Sequence, residues 1–347
     1  MNSLQRVLTA LGQKEPDRVP FFLFTGLRGA KDLGLSIKDY FARPEYVVEG
    51  QIRGREKYGT DCVTSFFYGP VDVEAWGGEV VYADDGPPKS GEPFLKDPDK
   101  IKFLSPPRPE ETPCLKKVLS ATAQLKKKFG DEVLIIGVVM SPFSLPVMQM
   151  GFDLYLDLLH DGRDLWQRLM AVNEAFTVDW ANRQLAAGAH AICYFDPVSS
   201  PEMITRDLYR QTAYPVTCRV LKQIKGPVAI HFASARALPI ADDIIASGAL
   251  LAGVSAKEDL RAWKSVTKGK LTLVGNLDGI GMRHWDTGQA DAAVKEAIAR
   301  AGAGGGFILS DNHGEIPWSV PEEVLVAVAE AVKRWGRYPL TWMEEHG

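Results

Sequence analysis

Short apolar segments alternate with helical segments along most of the 347-residue chain. Eight of these segments are predicted to be buried strands, because each is a run of β-forming apolar residues bounded by turn residues. The predicted strands cover 19–24, 61–67, 133–140, 191–195, 228–230, 250–254, 271–274 and 307–309. Eight strands separated by helices predict a (β/α)8 barrel in a single α/β domain over residues 1–347, with an open doubly wound sheet as the alternative, since alternation alone does not prove closure.

Two segments lie outside this alternation. Residues 3–11 carry apolar residues on one helical face, and Ser3 can cap that helix, so an N-terminal helix is expected before the barrel. Residues 69–107 are interpreted as an insertion after the second strand, containing a hairpin that turns at Gly77 and Gly78. This insertion could wall one side of a cleft or could be a surface excursion.

The composition argues against several classes of protein. Apolar residues make up 46% of the chain, which is enough for a packed core, and the formal charge of −4 comes without a basic block, so no nucleic-acid partner is expected. No segment approaches the ~20 apolar residues of a membrane span. The N-terminus lacks the apolar core of a signal peptide, and the four cysteines form no CxxC motif, so we expect a cytoplasmic protein with reduced thiols. The oligomeric state is left open.

Barrel enzymes carry their reactive groups on the loops that follow the strands. In this chain those loops form a polar rim, which is expected to bind a small ligand or a metal. In chain order its residues are Thr25, Arg28, Tyr68, Ser141, Asp196, His231, Ser255, Asn276, Asp278, Asp311 and His313.

Two histidines of this rim, His231 and His313, follow the fifth and eighth predicted strands. With Asp196 or Asp311 they could supply three ligands to Zn²⁺ and leave one position open for substrate. The alternative makes each histidine a hydrogen-bonding pocket residue, Asp196 a turn residue and Asp311 an Asx turn. The residues alone do not choose between these interpretations.

The rim segments resemble the uroporphyrinogen decarboxylase superfamily, which includes zinc-dependent corrinoid methyltransferases. The similarity runs through most of the chain, is clearest from Ser141 onward, and is more specific for the barrel than for the reaction. Its markers are Ser141-Pro-Phe-Ser-Leu, Asp196-Pro-Val-Ser-Ser, Ala229-Ile-His231, Gly275-Asn-Leu-Asp278 and Phe307-Ile-Leu-Ser-Asp-Asn-His313, followed by Val320-Pro-Glu-Glu-Val.

The resemblance also separates branches of the superfamily. Its decarboxylases carry an arginine pair in the first loop and an aspartate after the second strand. Here the first loop has Arg28 and Lys31, and the second strand ends at Phe66-Phe67-Tyr68 without an acid. Porphyrin decarboxylation is therefore disfavoured.

The methyltransferases that act on coenzyme M bind zinc through a His-x-Cys motif and a later cysteine. His231 matches the histidine, whereas Ala233 and His313 occupy the cysteine positions. The resemblance implies that zinc is retained with a harder ligand set, which makes a stronger Lewis acid.

The reaction implied by the resemblance is that of a corrinoid-dependent O-demethylase methyltransferase. A methyl group would pass from an O-methyl donor, such as an aryl methyl ether, to the Co(I) of a partner corrinoid protein. Alternatives are another donor or acceptor (a methylamine, methanol, a thiol or a folate) and a barrel without metal that only binds ligand.

The resemblance also implies roles for individual residues. His231, His313 and an oxygen ligand from Asp196 or Asp311 would hold the zinc. Asn276, a third catalytic candidate, and Tyr68 would orient the ring. The remaining candidates for binding substrate are Phe66, Phe67 and Trp318 as apolar walls, and Arg28, Ser141 and Asp278 as polar contacts.

Overall fold

The structure is a computed structural model that describes residues 1–267 and 269–346. Its centre is a parallel sheet of seven strands in the order β1-β4-β5-β6-β7-β8-β9. These strands are β1 (Cys62–Thr64), β4 (Leu134–Met140), β5 (Ala191–Phe195), β6 (Val228–His231), β7 (Leu251–Gly253), β8 (Thr272–Leu277) and β9 (Phe307–Asp311). A separate antiparallel pair consists of β2 (Val80–Val81) and β3 (Lys89–Ser90).

Helices follow the strands and pack on the outside of the sheet. They are α1 (Ser3–Leu11), α2 (Gly26–Leu33), α3 (Ile37–Ala42), α4 (Pro44–Tyr58), α5 (Val71–Glu74), α6 (Pro113–Phe129), α7 (Leu145–Met150), α8 (Phe152–Asp161), α9 (Arg163–Ala187), α10 (Arg206–Gln211), α11 (Ala213–Leu221), α12 (Ala241–Ala246), α13 (Leu260–Thr267), α14 (Thr287–Ala301) and α15 (Glu322–Trp335). Short 3-10 helices lie at Pro98–Phe103, Pro197–Ser199, Leu238–Ile240, Gly281–His284 and Thr341–His346. Among the described residues, none of these helices combines the length and the apolar character needed to cross a bilayer.

Residues 19–24 close the seven strands into a ring without forming a full strand. Phe22 N donates to Leu309 O at 3.0 Å and Leu309 N donates to Pro20 O at 2.9 Å, while on the other side Asp61 N donates to Phe21 O at 2.7 Å. Proline has no N–H to donate, so this segment cannot form a continuous ladder. The predicted (β/α)8 barrel is confirmed, and the first predicted strand is reduced to a bridge.

The predicted insertion differs from the expected hairpin. Its first part is the short helix α5, and Gly78 N donates to Val73 O at 3.1 Å, so the glycine pair ends this helix and does not turn a hairpin. The hairpin that exists joins β2 to β3, and its turn covers 82–88. The predicted turn at Gly77 and Gly78 is therefore wrong, because these glycines end α5 and lie before the strand pair. The extent of the insertion, 69–107, stays a prediction.

Helix α1 covers the N-terminal end of the barrel. Leu4 and Val7 on its apolar face pack with the inward-facing side chains of Phe22, Leu134 and Leu251. The strands are buried on both faces, inside the ring and under the helices, which explains why they read as continuous apolar runs.

Asp61 joins three elements at this end of the barrel. Its side chain is fully buried and accepts hydrogen bonds from Arg6 at 2.6 Å, from Arg18 at 2.7 Å and from Phe21 N at 2.9 Å. Arg6 lies on α1, Arg18 directly precedes the closing segment that contains Phe21, and Asp61 directly precedes β1. Hydrogen bonds from Arg6 also hold the pKa of Asp17 at about 2. This ion cluster therefore fixes the position of the closing segment.

We expect Asp61→Asn to lower the free energy of unfolding by roughly 3–5 kcal/mol, because it leaves partly buried arginine charge without its buried partner. Urea denaturation followed by circular dichroism measures the loss. The matched control is Asp99→Asn, which breaks an exposed pair with Lys102 at 2.7 Å and should cost at most about 1 kcal/mol. Equal losses in the two variants would show that Asp61 does not hold the ring together.

Candidate functional site

The C-terminal ends of the strands surround a small cavity at the mouth of the barrel. Its walls are mainly apolar and come from Phe24, Phe66, Met140 and Phe195. Among the described residues that line it, Asp72 is the one carboxylate, and none is a lysine or an arginine. The cavity volume is about 50 Å³. The site is thus an apolar recess with a single acid.

Asp72 reaches this recess from α5. It is 2% exposed, and its carboxylate accepts hydrogen bonds from Met140 N at 2.7 Å and from Trp180 Nε1 at 3.0 Å. Burial raises the pKa of Asp72 to about 7, against the opposing effect of these two bonds. The sequence reasoning missed Asp72 because it assigned residues 71–76 to a hairpin strand. The one sequence feature that could have indicated Asp72 is an acid flanked by two valines, Val71 and Val73.

His231 ends β6 and lines a second, apolar cavity inside the barrel, where it contacts Phe24 and Phe195 of the mouth cavity wall. Its ring stacks on Phe195 with the ring centres 5.3 Å apart and meets the edge of Phe24 at 5.9 Å. On the β7 side, a Cβ added at Gly253 would lie 2.9 Å from His231 Cδ2, so only glycine permits this close approach. Burial, with a smaller contribution from the charge of His313, lowers the pKa of His231 to about 4. His231 is therefore a neutral imidazole at pH 7.

The loop after β6 sets the tautomer of His231. Ala233 N donates to His231 Nδ1 at 3.0 Å, and Ala233 adopts a left-handed φ of 54° that turns this N–H back toward the ring. A neutral imidazole that accepts at Nδ1 carries its proton on Nε2. His231 Nε2 is thus a hydrogen-bond donor in this arrangement.

His313 lies in the loop after β9 and is held by the same β6 loop. The Oγ of Ser234 lies 2.7 Å from His313 Nδ1. Burial lowers the pKa of His313, and the negative charge of Asp278 opposes that effect. His231 Nδ1 and His313 Nδ1 therefore contact two adjacent residues of this loop, Ala233 and Ser234. The structure thus brings the two predicted histidines together.

Asp196 and Ser141 form a buried polar cluster between the loops after β4 and β5. The Asp196 carboxylate accepts from the hydroxyls of Ser144 at 2.7 Å, of Ser199 at 2.6 Å and of Ser141. Burial raises the pKa of Asp196, and these hydroxyl bonds act against the rise. Neither Asp196 nor Ser141 lines the cavity. The role of Ser141 as a substrate contact stays a prediction, and Asp196 as a metal ligand is considered with the two histidines.

Asp311, the last residue of β9, ties the closing segment to the sheet. Its Oδ1 accepts from Phe24 N at 3.0 Å, and burial raises its pKa to about 6. Its Oδ2 has no hydrogen-bond partner among the described residues. Asp311 is thus oriented by the backbone of residue 24, which forms part of the cavity wall.

The predicted zinc ligands do not assemble. Within 1–267 and 269–346, no three His, Cys, Asp or Glu side chains are arranged to hold a metal ion. His231 Nδ1 is engaged by Ala233 N and the Asp196 carboxylate by serine hydroxyls. Asp311 Oδ2 has no partner among the described residues, but Asp311 does not form such a group with the two histidines. The donor set of this structure does not fit a zinc ion.

Several other predicted residues hold the scaffold and do not line the cavity. The guanidinium of Arg28 is buried and donates to Val320 O at 2.9 Å. The hydroxyl of Tyr68 donates to Glu74 at 2.6 Å, and Phe67 packs beside Tyr68 in the same aromatic cluster. The substrate-binding roles of Arg28, Tyr68 and Phe67 stay predictions.

Three further candidates lie on the β8 and β9 loops. Asn276 Nδ2 donates to Ser255 O and to Glu258 O, both at 3.0 Å, so it braces the loop after β7. Its catalytic role stays a prediction. Asp278 is exposed and accepts from Gly281 N, and Trp318 lies under Lys31 with Nζ 5.6 Å from the ring centre. Neither lines the cavity, so their substrate-binding roles stay predictions.

The raised pKa of Asp72 predicts a pH-dependent stability. The folded carboxyl has a pKa of about 7 against an ordinary value of 3.8, so its contribution is complete below pH 3.8 and is lost as the pH rises toward 7. Asn does not titrate. We expect the stability of wild type relative to Asp72→Asn to fall by roughly 3 kcal/mol between pH 4.5 and 7.5 in urea denaturation. A difference that does not change with pH would contradict the assigned pKa.

Comparisons with known proteins agree with this architecture. The uroporphyrinogen decarboxylase (URO-D) family profile matches residues 2–335. A uroporphyrinogen decarboxylase from Ralstonia pickettii is 26% identical over 95% of this chain and 91% of its own length. The methylcobamide:CoM methyltransferase MtbA from Methanosarcina mazei is 24% identical over 95% of this chain and 97% of its own.

A solved structure shows the same fold. The methyltransferase from Methanosarcina mazei superposes with a TM-score of 0.87 at 21% identity, covering 96% of this chain and 99% of that one. The family match extends over nearly all of the barrel that positions the cavity and the two histidines. This chain belongs to the uroporphyrinogen decarboxylase family.

Proposed function

We propose that this protein transfers a methyl group from an aryl methyl ether to the Co(I) of a corrinoid carried by a partner protein. The observation that carries the proposal is the mouth cavity, whose walls include the rings of Phe24, Phe66 and Phe195. Aromatic walls pack well against a planar aromatic ring. A small apolar donor therefore matches the site.

The relatives support the choice of acceptor. Two of them are named as methylcobamide:CoM methyltransferases, MtbA from Methanosarcina mazei and MtaA from Methanosarcina barkeri, the latter 25% identical over 78% of this chain. The decarboxylases are equally similar, so identity does not separate the two activities. A corrinoid acceptor is the inference we take from the methyltransferase names.

The charge of the mouth argues against decarboxylation of uroporphyrinogen. That substrate carries several carboxylates, which require cationic partners. The cations of the first loop are engaged elsewhere, since Arg28 is buried against Val320 O and Lys31 lies over the ring of Trp318. Methyl transfer is thus favoured.

The donor needs more room than the cavity offers. An engineered cavity of about 150 Å³ binds benzene, whereas this one measures about 50 Å³. Phe66 and Phe195 are the half-buried aromatic residues of the wall, and Phe195 is stacked on His231. In the proposal Phe66 turns outward to admit the ring, and the methoxy group faces the opening where the corrinoid docks.

The transfer breaks the bond between the methyl carbon and the ether oxygen and forms a carbon–cobalt bond. Cobalt is oxidised from Co(I) to Co(III), and the phenolate leaves and takes up a proton. In the proposal His231 and His313 donate hydrogen bonds to that oxygen, because a neutral imidazole N–H stabilises charge that develops on it. Since the donor set does not fit zinc, no step is assigned to a metal.

The direct test uses cob(I)alamin as acceptor and guaiacol, an ortho-methoxyphenol, as donor. We expect methylcobalamin to form, followed by its absorbance, together with an equal amount of catechol. A parallel reaction with uroporphyrinogen should release no CO₂. Decarboxylation of uroporphyrinogen without methyl transfer from any methoxyarene would overturn the proposal, and a panel of methylamine, methanol, a methylated thiol and methyl folate would identify a different donor.

The two histidines provide a second test. We expect His231→Ala and His313→Ala each to lower kcat about 100-fold, because each removes a hydrogen-bond donor to the leaving oxygen. His190→Gln is the control, since His190 lies at the N-terminal end of β5, away from the mouth of the barrel. There its Nδ1 accepts a hydrogen bond from Ile135 N at 3.0 Å. Elemental analysis of the same tag-free proteins should find well below one zinc per chain. One zinc in wild type, absent from both mouth variants, would instead assign the histidines to a metal site.

A further inference from the structure

Charged side chains line a surface cavity at the N-terminal end of the barrel, opposite the mouth. The cavity measures about 380 Å³, within the range of roughly 300–1,000 Å³ that is usual for pockets that bind small molecules. We call it the arginine pocket. The described residues that line it are four cations and one acid: Arg6, Arg18, Lys333, Arg337 and Asp17. The chain as a whole has a formal charge of −4, so this cationic lining differs from the average character of the protein.

The backbone places two of these arginines directly opposite each other. Arg18 and Arg337 form an antiparallel bridge, next to which Val19 N donates to Gly336 O at 2.8 Å. Side chains of directly opposite residues lie on the same side of an antiparallel pair, and like charges at such positions destabilise it. An anion held between the two guanidinium groups removes this repulsion.

The carboxylates of the protein leave one positive charge of the pocket unmatched. Asp61 and Asp17 bind the first two arginines, and Glu330 accepts from Lys333 at 2.7 Å. Three carboxylates thus stand against four cations. Arg337 is exposed, and the ion pairs of the described residues do not include it. The unmatched charge is therefore that of Arg337.

Hydrogen-bond donors remain on both facing arginines. The bonds from Arg18 to the described residues all leave from its two Nη atoms, toward Asp61, Val19 O and Gly59 O, so its Nε–H is left for a ligand. Arg337 brings a planar guanidinium with five N–H groups, a geometry that matches phosphate and carboxylate oxygens. Every side chain of the lining is charged, so the pocket offers no apolar wall for a ring or an acyl chain. The matching ligand is a small polar anion with several oxygens.

We propose that the arginine pocket binds the phosphate or diphosphate group of a small polar molecule through the guanidinium of Arg337 and the Nε–H of Arg18. A phosphate group carries up to two negative charges and three acceptor oxygens, enough to bond both arginines at once. Arg18 directly precedes the closing segment, and Arg337 follows α15. The bound anion therefore ties the start of the closing segment to the residues after α15. The site is independent of the proposed methyl transfer.

Isothermal titration calorimetry with pyrophosphate, at constant ionic strength, tests the site. We expect wild type to bind one pyrophosphate per chain and Arg337→Gln to bind it at least tenfold more weakly, because one hydrogen bond between charged groups contributes about that factor. Binding should also raise the Tm of wild type, since the anion binds the folded state alone.

The matched control is Arg334→Gln. It removes an exposed cation three residues away that pairs with Asp291 at 3.0 Å and does not line the pocket, so its affinity for pyrophosphate should equal that of wild type. Because Arg337 and Arg334 are both exposed, we expect both variants to fold, which circular dichroism checks.

Inorganic phosphate and citrate complete the comparison. Tighter binding of pyrophosphate than of phosphate assigns a diphosphate group, and equal binding assigns a single phosphate. Tighter binding of citrate would overturn the assignment to a phosphate ligand. Two further results would overturn the site itself: no binding of pyrophosphate to wild type at millimolar concentration, or an equal loss of affinity in Arg337→Gln and Arg334→Gln, which indicates only a general attraction to positive charge.

Discussion

The barrel depends on a buried carboxylate that joins the two ends of its sheet. Seven strands form a regular parallel ladder, and the eighth position is occupied by a segment whose Pro20 cannot donate to its neighbour. Asp61 compensates by binding Phe21 N together with Arg6 and Arg18. Removing one partner of such a cluster leaves a buried charge unpaired in an apolar environment. The loss of stability is far larger than the net stability that the intact cluster contributes.

The mouth of the barrel depends on the ring being closed. Phe24, at the end of the closing segment, is held by Asp311 through its backbone N–H and contacts His231 with its ring edge. The β6 loop then engages both histidines, through Ala233 N and the Ser234 hydroxyl. Closure of the barrel, the walls of the cavity and the orientation of the imidazoles are therefore parts of one arrangement.

Much of this fold follows from the sequence, because strands buried on both faces must be apolar and parallel strands must be joined by helices. The position of His231 and His313 at one mouth follows from the same rule, since the carboxyl ends of parallel strands converge. The directions of the side chains do not follow. Arg28 turns away from the mouth toward Val320 and Glu322, more than 290 residues further along the chain, and nothing local in the sequence encodes that contact.

Asp72 shows a second limit of the sequence. The run from Val71 to Val81 contains β-branched residues that favour a strand, yet tertiary packing against Met140 and Trp180 selects a helical turn at its start. That turn places Asp72 among the residues that line the cavity, so the one acid of the lining could not be identified before the fold was known. The predicted zinc ligands show the same limit. Their positions on the rim follow from the sequence, but the sequence does not reveal which of their atoms already bond to neighbouring hydroxyls and amides.

The central claim is that the recess at the mouth receives the ring of the methyl donor. A crystal structure of the protein with guaiacol bound tests it most directly. We predict electron density for the ring beside Phe24 and Phe195, with Phe66 turned outward and the methoxy group toward the opening. Density for guaiacol outside the barrel mouth, with Phe66 still closing the recess, would contradict the account.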